Sequence, residues 1–138
     1  SYDSGSSEYK TGNERLAAED RFRAIWIAIS NRFQNTSEDL LFEIMNEAYF
    51  SMSASEVDIV NTDILSIIRQ TNPTRNVIVN GGGLNSWEAP FQMSSTFINS
   101  DNYLISTFHY YKSFSFTSSS KEQFNDFDWG TISDKNSK

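Results

Sequence analysis

At 138 residues, 38% of them hydrophobic and 14% aromatic, the chain is long enough for one domain with a true core and short for two. Its net charge of −7 argues against a nucleic-acid partner, which needs clustered Lys and Arg, and Arg21, Arg23 and Arg32 are merely scattered along one predicted helix. No cysteine and a single histidine, His109, exclude disulfides, thiolate metal sites and multi-histidine metal centres, and no apolar run approaches the ~18 residues of a membrane span.

Residues 1–12 are polar and rich in Ser and Gly, as a loop is. No signal-peptide pattern is expected there, and the start at Ser1 reads as a processed, trimmed or excised end. Thr11 and Glu14 form a capping-box pattern, after which Phe22, Ile25, Trp26, Ile29 and Phe33 recur at helical spacing, so an amphipathic helix is predicted over residues 14–33 with Trp26 in the core. Residues 34–39 are a polar connection containing the glycosylation triplet Asn35-Thr36-Ser37, which on its own is weak support for secretion. Residues 40–47 follow, apolar at both parities, which is the pattern of a parallel strand covered on both faces.

Ser53 and Glu56 make a second capping box, and Val57, Val60, Ile64, Ile67 and Ile68 form the stripe of a helix that Asn72-Pro73 stops. Residues 76–83, NVIVNGGG, are a short β-branched strand running into glycines. Residues 87–97 have room only for a short irregular helix, and 103–111, YLISTFHYY, are an aromatic strand. From residue 113 onward the chain reads as loop with a frayed end. Strands alternating with helices predict right-handed βαβ units and a parallel sheet.

Ligand sites in such a sheet gather at the carboxyl ends of the strands. Those ends carry Asn46 and Glu47, then Asn80 with Gly81, Gly82 and Gly83, then His109, Tyr110 and Tyr111. Glu47 is either an exposed strand-end charge or a proton donor at the mouth of a pocket. Asn46 beside it favours the second, because glycoside cleavage uses an amide on the sugar 2-hydroxyl next to the carboxyl that protonates the leaving oxygen. Glu43 lies four residues back on the same strand, about 13 Å away at the usual rise, too far to be the second carboxylate of a retaining pair. His109 is either a satisfied core histidine or a residue that orients a carboxylate. Tyr111 shares its strand face, while Tyr110 points the other way and reads as packing. The glycine run lacks both GxGxxG and GxxxxGK[ST], so it reads as a tight turn. Trp87 and Trp129 are sugar platforms or core anchors.

Three ordered stretches, RFRAIWIAISNRFQNTSEDLLFEIMNEAYF, TNPTRNVIVNGGGLNSW and YLISTFHYYKSFSFT, resemble glycoside hydrolase family five, the cellulase and endoglucanase family of (β/α)8 barrels. The resemblance implies that residues 1–138 are a single partial barrel domain, from the third helix to the loop after the sixth strand. It implies about three parallel strands with flanking helices, completed by self-association, strand exchange or a complementary fragment. The family's fourth strand ends in Asn-Glu, so Asn46 would bind the 2-hydroxyl and Glu47 would be the general acid/base. Its sixth strand carries His-Xaa-Tyr, matching His109 and Tyr111, which position the carboxylates. Asn80 and Trp87 are expected to contact substrate.

Two positions depart from the family pattern, where Ala48 stands for the proline after Asn-Glu and Ser113-Phe114 for Pro-Phe. The seventh-strand nucleophile is not identifiable in this chain. The expected function is acid/base-assisted retaining hydrolysis of β-linked polysaccharide or oligosaccharide, as in an endo-β-1,4-glucanase. No cofactor, metal, nucleic acid or membrane is expected, and the family implies a secreted protein. The alternative is a catalytically inactive half-barrel or glycan-binding remnant.

Overall fold

Helix α1 spans Asn13–Phe33 in the computed structural model, which describes residues 13–48, 52–111 and 117. Thr11, Trp129 and nearly all of the loop expected after residue 113 lie outside the described residues. Along α1, Trp26 is buried and Phe22, Ile29 and Phe33 pack against the same core. Ile25 departs from the predicted stripe and is 54% exposed. At about 100° per residue it stands to one side of the line through Phe22, Trp26, Ile29 and Phe33.

Strand β1 is Phe42–Glu43, shorter than the eight residues its apolar composition suggested. Its ladder bonds run from the Phe42 N–H to the Asn76 carbonyl and from the Ile44 N–H to the Ile78 carbonyl, both 3.2 Å. Beyond Ile44 the chain bends out of the ladder, because the carbonyls of Met45 and Asn46 both accept from the side-chain amide of Asn80. Nor is the strand covered on both faces. Phe42 and Ile44 are buried, while Leu41 and Glu43 are exposed.

Helix α2, Ala54–Arg69, begins as the sequence predicts. The Ser53 hydroxyl accepts from the Glu56 N–H, and the Glu56 carboxylate accepts from the Ser53 N–H at 2.9 Å. Its buried line is Val57, Asn61, Ile64, Leu65 and Ile68. Strand β2, Val77–Val79, leads into a 3₁₀ turn at Gly83–Asn85 and the short helices α3, Ala89–Gln92, and α4, Ser95–Ile98, before strand β3, Leu104–Ser106.

The three strands form a parallel sheet in the order β1-β2-β3. Register aligns Phe42 with Val77 and Leu104 in one row and Glu43 with Ile78 and Ile105 in the next, on opposite faces. The first row meets the helices: Trp26 stacks obliquely on Phe42 at 5.6 Å, within a cluster holding Ile64, Ile68, Val77 and Val79. None of the helices α1 to α4 lies over the second row. The architecture is thus an open α/β sheet, with helices packed on one side and the other bare among the described residues.

The amino ends of the strands are tied by Arg75, a buried cation with no carboxylate partner among the described residues. Its guanidinium donates to the carbonyls of Phe33, Thr36, Ser37 and Leu40 and to the Asn72 side chain. Of the last carbonyls of α1, that of Phe33 is met there, and that of Ser30 accepts from the Asn72 amide at 3.0 Å. At the same end Arg69 makes a two-pronged pair with Asp101, at 2.5 and 3.0 Å, holding the turn before β3 against α2. No described helix is long and apolar enough to cross a membrane.

Candidate active site

The carboxyl ends of β1 and β3 bring Glu47 and His109 together. Glu47 Oε1 and His109 Nδ1 are 2.6 Å apart, with 35% and 22% of their side chains exposed. An ionised Glu47 only accepts, so Nδ1–H of the imidazole donates to it; a protonated Glu47 donates its O–H to a bare Nδ1. The pair therefore holds a carboxyl oxygen in place in either protonation state. Tyr111 stands edge-on to the imidazole, ring centres 6.1 Å apart at 87°, and is 56% exposed. Asn46 is exposed beside Glu47.

The turn carrying Asn46 and Glu47, and His109, each have an identifiable anchor. Asn80, expected to touch substrate, has no exposed surface. Its side-chain amide donates to the Met45 and Asn46 carbonyls at 3.1 and 3.0 Å, and its main-chain carbonyl accepts from the Asn61 amide at 2.9 Å. The geometry makes it a clamp on the turn that presents Asn46 and Glu47. Gly81 is next to it, and a Cβ there would sit 2.3 Å from the Ala89 carbonyl oxygen, so only glycine allows the backbone approach.

The turn after β2 holds His109. Gly83, Leu84 and Asn85 all have positive φ, near 60°, and this coil aims the Asn85 carbonyl at the His109 N–H, 2.6 Å away. Ser86 extends the contact as a parallel bridge to His109. Trp87 follows directly and is 49% exposed, so of its two readings the core anchor is set aside. Tyr110, expected to pack, is 47% exposed.

Asn61 and Asn85 were not singled out from the sequence. The available signal for Asn61 was an amide set inside an apolar helical stripe, four residues after Val57 and three before Ile64. For Asn85 it was the tolerance of asparagine for left-handed backbone in a glycine-rich turn. Both amides are buried, and both side-chain atoms of Asn85 lack a partner among the described residues.

A groove of about 430 Å³ lies away from this pair, between α1 and the end of β1, lined chiefly by Ala18, Phe22, Ile25, Met45, Met52 and Val60. Among the described residues no three His, Asp or Glu side chains are grouped to hold a metal ion.

Comparison with known proteins bears on the family and the fold. The family model described as Cellulase (glycosyl hydrolase family 5) matches residues 3–138. Endoglucanase H of Acetivibrio thermocellus is 49% identical over 98 residues, 71% of this chain and 11% of that protein. Among solved structures, endoglucanase Cel5A from the hyperthermophilic Thermotoga maritima superimposes with a TM-score of 0.75 at 25% identity, over 89% of this chain and 41% of that one. A tri-modular GH5 (subfamily 4) endo-beta-1,4-glucanase from Bacillus licheniformis, complexed with cellotetraose, is 35% identical with a TM-score of 0.66, over 76% of this chain and 20% of that one. The chain thus spans well under two thirds of the relatives it matches, and its open parallel sheet is an incomplete (β/α) barrel. It belongs to the cellulase family, glycosyl hydrolase family 5.

Proposed function

We propose that this chain forms the acid/base side of an endo-β-1,4-glucanase site that cleaves β-linked glucan with retention. The observation that supports it best is the 2.6 Å contact between Glu47 and His109 at the carboxyl ends of two parallel strands. In this reading Glu47 protonates the departing glycosidic oxygen and later takes a proton from the attacking water. His109 orients the carboxyl, Asn46 hydrogen-bonds the sugar 2-hydroxyl, and Tyr111 flanks the same site. Trp87 offers an exposed indole face on which a sugar ring stacks.

A retaining enzyme needs a second carboxyl group about 5 Å from the first. The sheet closes by strand exchange between copies of this chain or with a complementary barrel segment, and the partner carboxylate is assigned to such a segment, since the seventh-strand nucleophile is not identifiable in this chain. A polymeric substrate too large to cross a membrane places the working enzyme outside the cell.

Reducing-sugar release from a soluble cellulose derivative, compared between this chain and Glu47→Gln, tests the reading. Loss of activity in the variant supports it. Equal inactivity of both, with cello-oligosaccharide still quenching tryptophan fluorescence, would instead show a glycan-binding remnant.

A further inference from the structure

Asn80 and Gly81 are the only Asn-Gly pair in the sequence. Such a pair is chemically labile, because glycine has no side chain to hinder its main-chain nitrogen from reaching the asparagine side chain. When the two meet, the Gly81 nitrogen bonds to Cγ of Asn80, the Cγ–Nδ2 bond breaks, and ammonia leaves with the proton that the nitrogen gave up. Water then opens the five-membered imide at either of its two carbonyls, leaving aspartate or isoaspartate at position 80. Water is the only co-reactant.

The fold opposes each part of this reaction. The Asn80 side-chain amide is held by the Met45 and Asn46 carbonyls at 3.1 and 3.0 Å. The Asn61 amide donates at 2.9 Å to the main-chain carbonyl of Asn80, which shares a planar peptide unit with the Gly81 nitrogen and so fixes that nitrogen in place. Asn61, Asn80 and Gly81 are all buried, which keeps water and base away. Neither member of the pair is exchangeable for a safer residue. A Cβ at position 81 would sit 2.3 Å from the Ala89 carbonyl oxygen, and a residue at position 80 without a side-chain amide leaves two carbonyls unmet. Close packing beneath the Glu47 turn demands a pair that only burial protects.

We infer that Asn80-Gly81 is a self-modification site which opening of this region exposes, and that the product is barred from the native state. A carboxylate at position 80 has no hydrogen to donate and would face two carbonyl oxygens in a buried place. Isoaspartate also lengthens the main chain by one carbon, at the point where Gly81 has no room against Ala89. Unfolding becomes irreversible by chemistry, at a rate set by how often the region opens. The damage falls on the turn that carries Glu47, whatever reaction Glu47 performs.

Peptide mass spectrometry with enzymatic isoaspartate labelling measures ammonia loss at Asn80, at one mildly alkaline pH and one temperature. The whole chain is followed in native buffer and in guanidinium chloride, beside a synthetic peptide of residues 76–83 as the unprotected reference. In denaturant the chain is expected to react as fast as the peptide, and in native buffer slower by about tenfold or more. After removal of denaturant, unmodified chains regain their native tryptophan fluorescence, and modified chains, separated by their added negative charge, do not. Asn80→Asp, made directly, is expected to reproduce the defect as failure to refold or as a lowered unfolding midpoint. Equal rates for the native chain and the peptide, modified chains that refold as completely as unmodified ones, or Asn80→Asp unfolding at the wild-type midpoint each overturn the inference.

Discussion

Glu47 and His109 are separated by 62 positions in the chain, yet their Oε1 and Nδ1 atoms meet at 2.6 Å. Two anchors enforce the meeting. Asn80 holds the backbone before Glu47 from below, and the Asn85 carbonyl holds the His109 N–H from the side. Both anchors belong to the segment around β2, so the middle strand sets the geometry of its neighbours' side chains.

If Glu47 is the proton donor, the leaving group decides how much its loss matters. In the complete barrel, Glu47→Gln is expected to lower kcat/KM on a soluble cellulose derivative by about 10²–10⁴-fold. On a dinitrophenyl cellobioside, whose leaving group needs no proton, the glycosylation step keeps most of its rate. His109→Ala acts on the carboxyl's placement and is expected to lower kcat with little change in KM. Steady-state kinetics on both substrates check the pattern.

Asn80→Ala removes a buried amide that serves two carbonyls of the turn before Glu47. Leaving those carbonyls unmet is expected to cost about 2 kcal/mol or more. Urea unfolding reads the loss, and a heteronuclear spectrum is expected to show shifts concentrated at Met45, Asn46, Glu47 and His109. An unchanged midpoint would remove Asn80 from its anchoring role.

Arg75 donates to five acceptors from a buried position, and lysine, with three donors and no planar fork, cannot replace it. Arg75→Lys is expected to destabilise by about 2 kcal/mol and Arg75→Ala by about 3 kcal/mol or more. Thermal or denaturant melts of the two variants give the order directly.

Glu56 gives a pH dependence with a definite sign. The Ser53 N–H, then Arg15, then the Ser53 hydroxyl favour its charged form and hold its pKa down at about 2. A depressed carboxylate stabilises the fold at pH values above its ordinary pKa, near 4.5, and that contribution is lost as pH falls toward about 2. Wild type is expected to lose stability over this interval relative to Glu56→Gln, whose cap does not titrate. Unfolding curves at pH 6, 4 and 2.5 follow the difference.

Much of this molecule is local and therefore legible in the chain. The capping box at Ser53 and Glu56, the stripe from Val57 to Ile68 and the stop at Asn72-Pro73 depend on contacts within a few residues, and α2 formed where those signals placed it. Alternation of strands and helices announced a parallel sheet. The order of residues alone sets Asn46, Glu47, His109 and Tyr111 at the ends of those strands, on one edge.

What the chain alone left open depends on groups far apart in sequence. Apolar residues on both parities of 40–47 promised a strand covered twice, but coverage is a property of what lies across the sheet, and only the helix side is occupied among the described residues. Asn80 looked like a ligand contact because its type and position allowed it. Burial turned the same amide inward, onto carbonyls 34 and 35 positions away. Side-chain chemistry specified which groups were able to act, and long-range packing decided which way each of them faced.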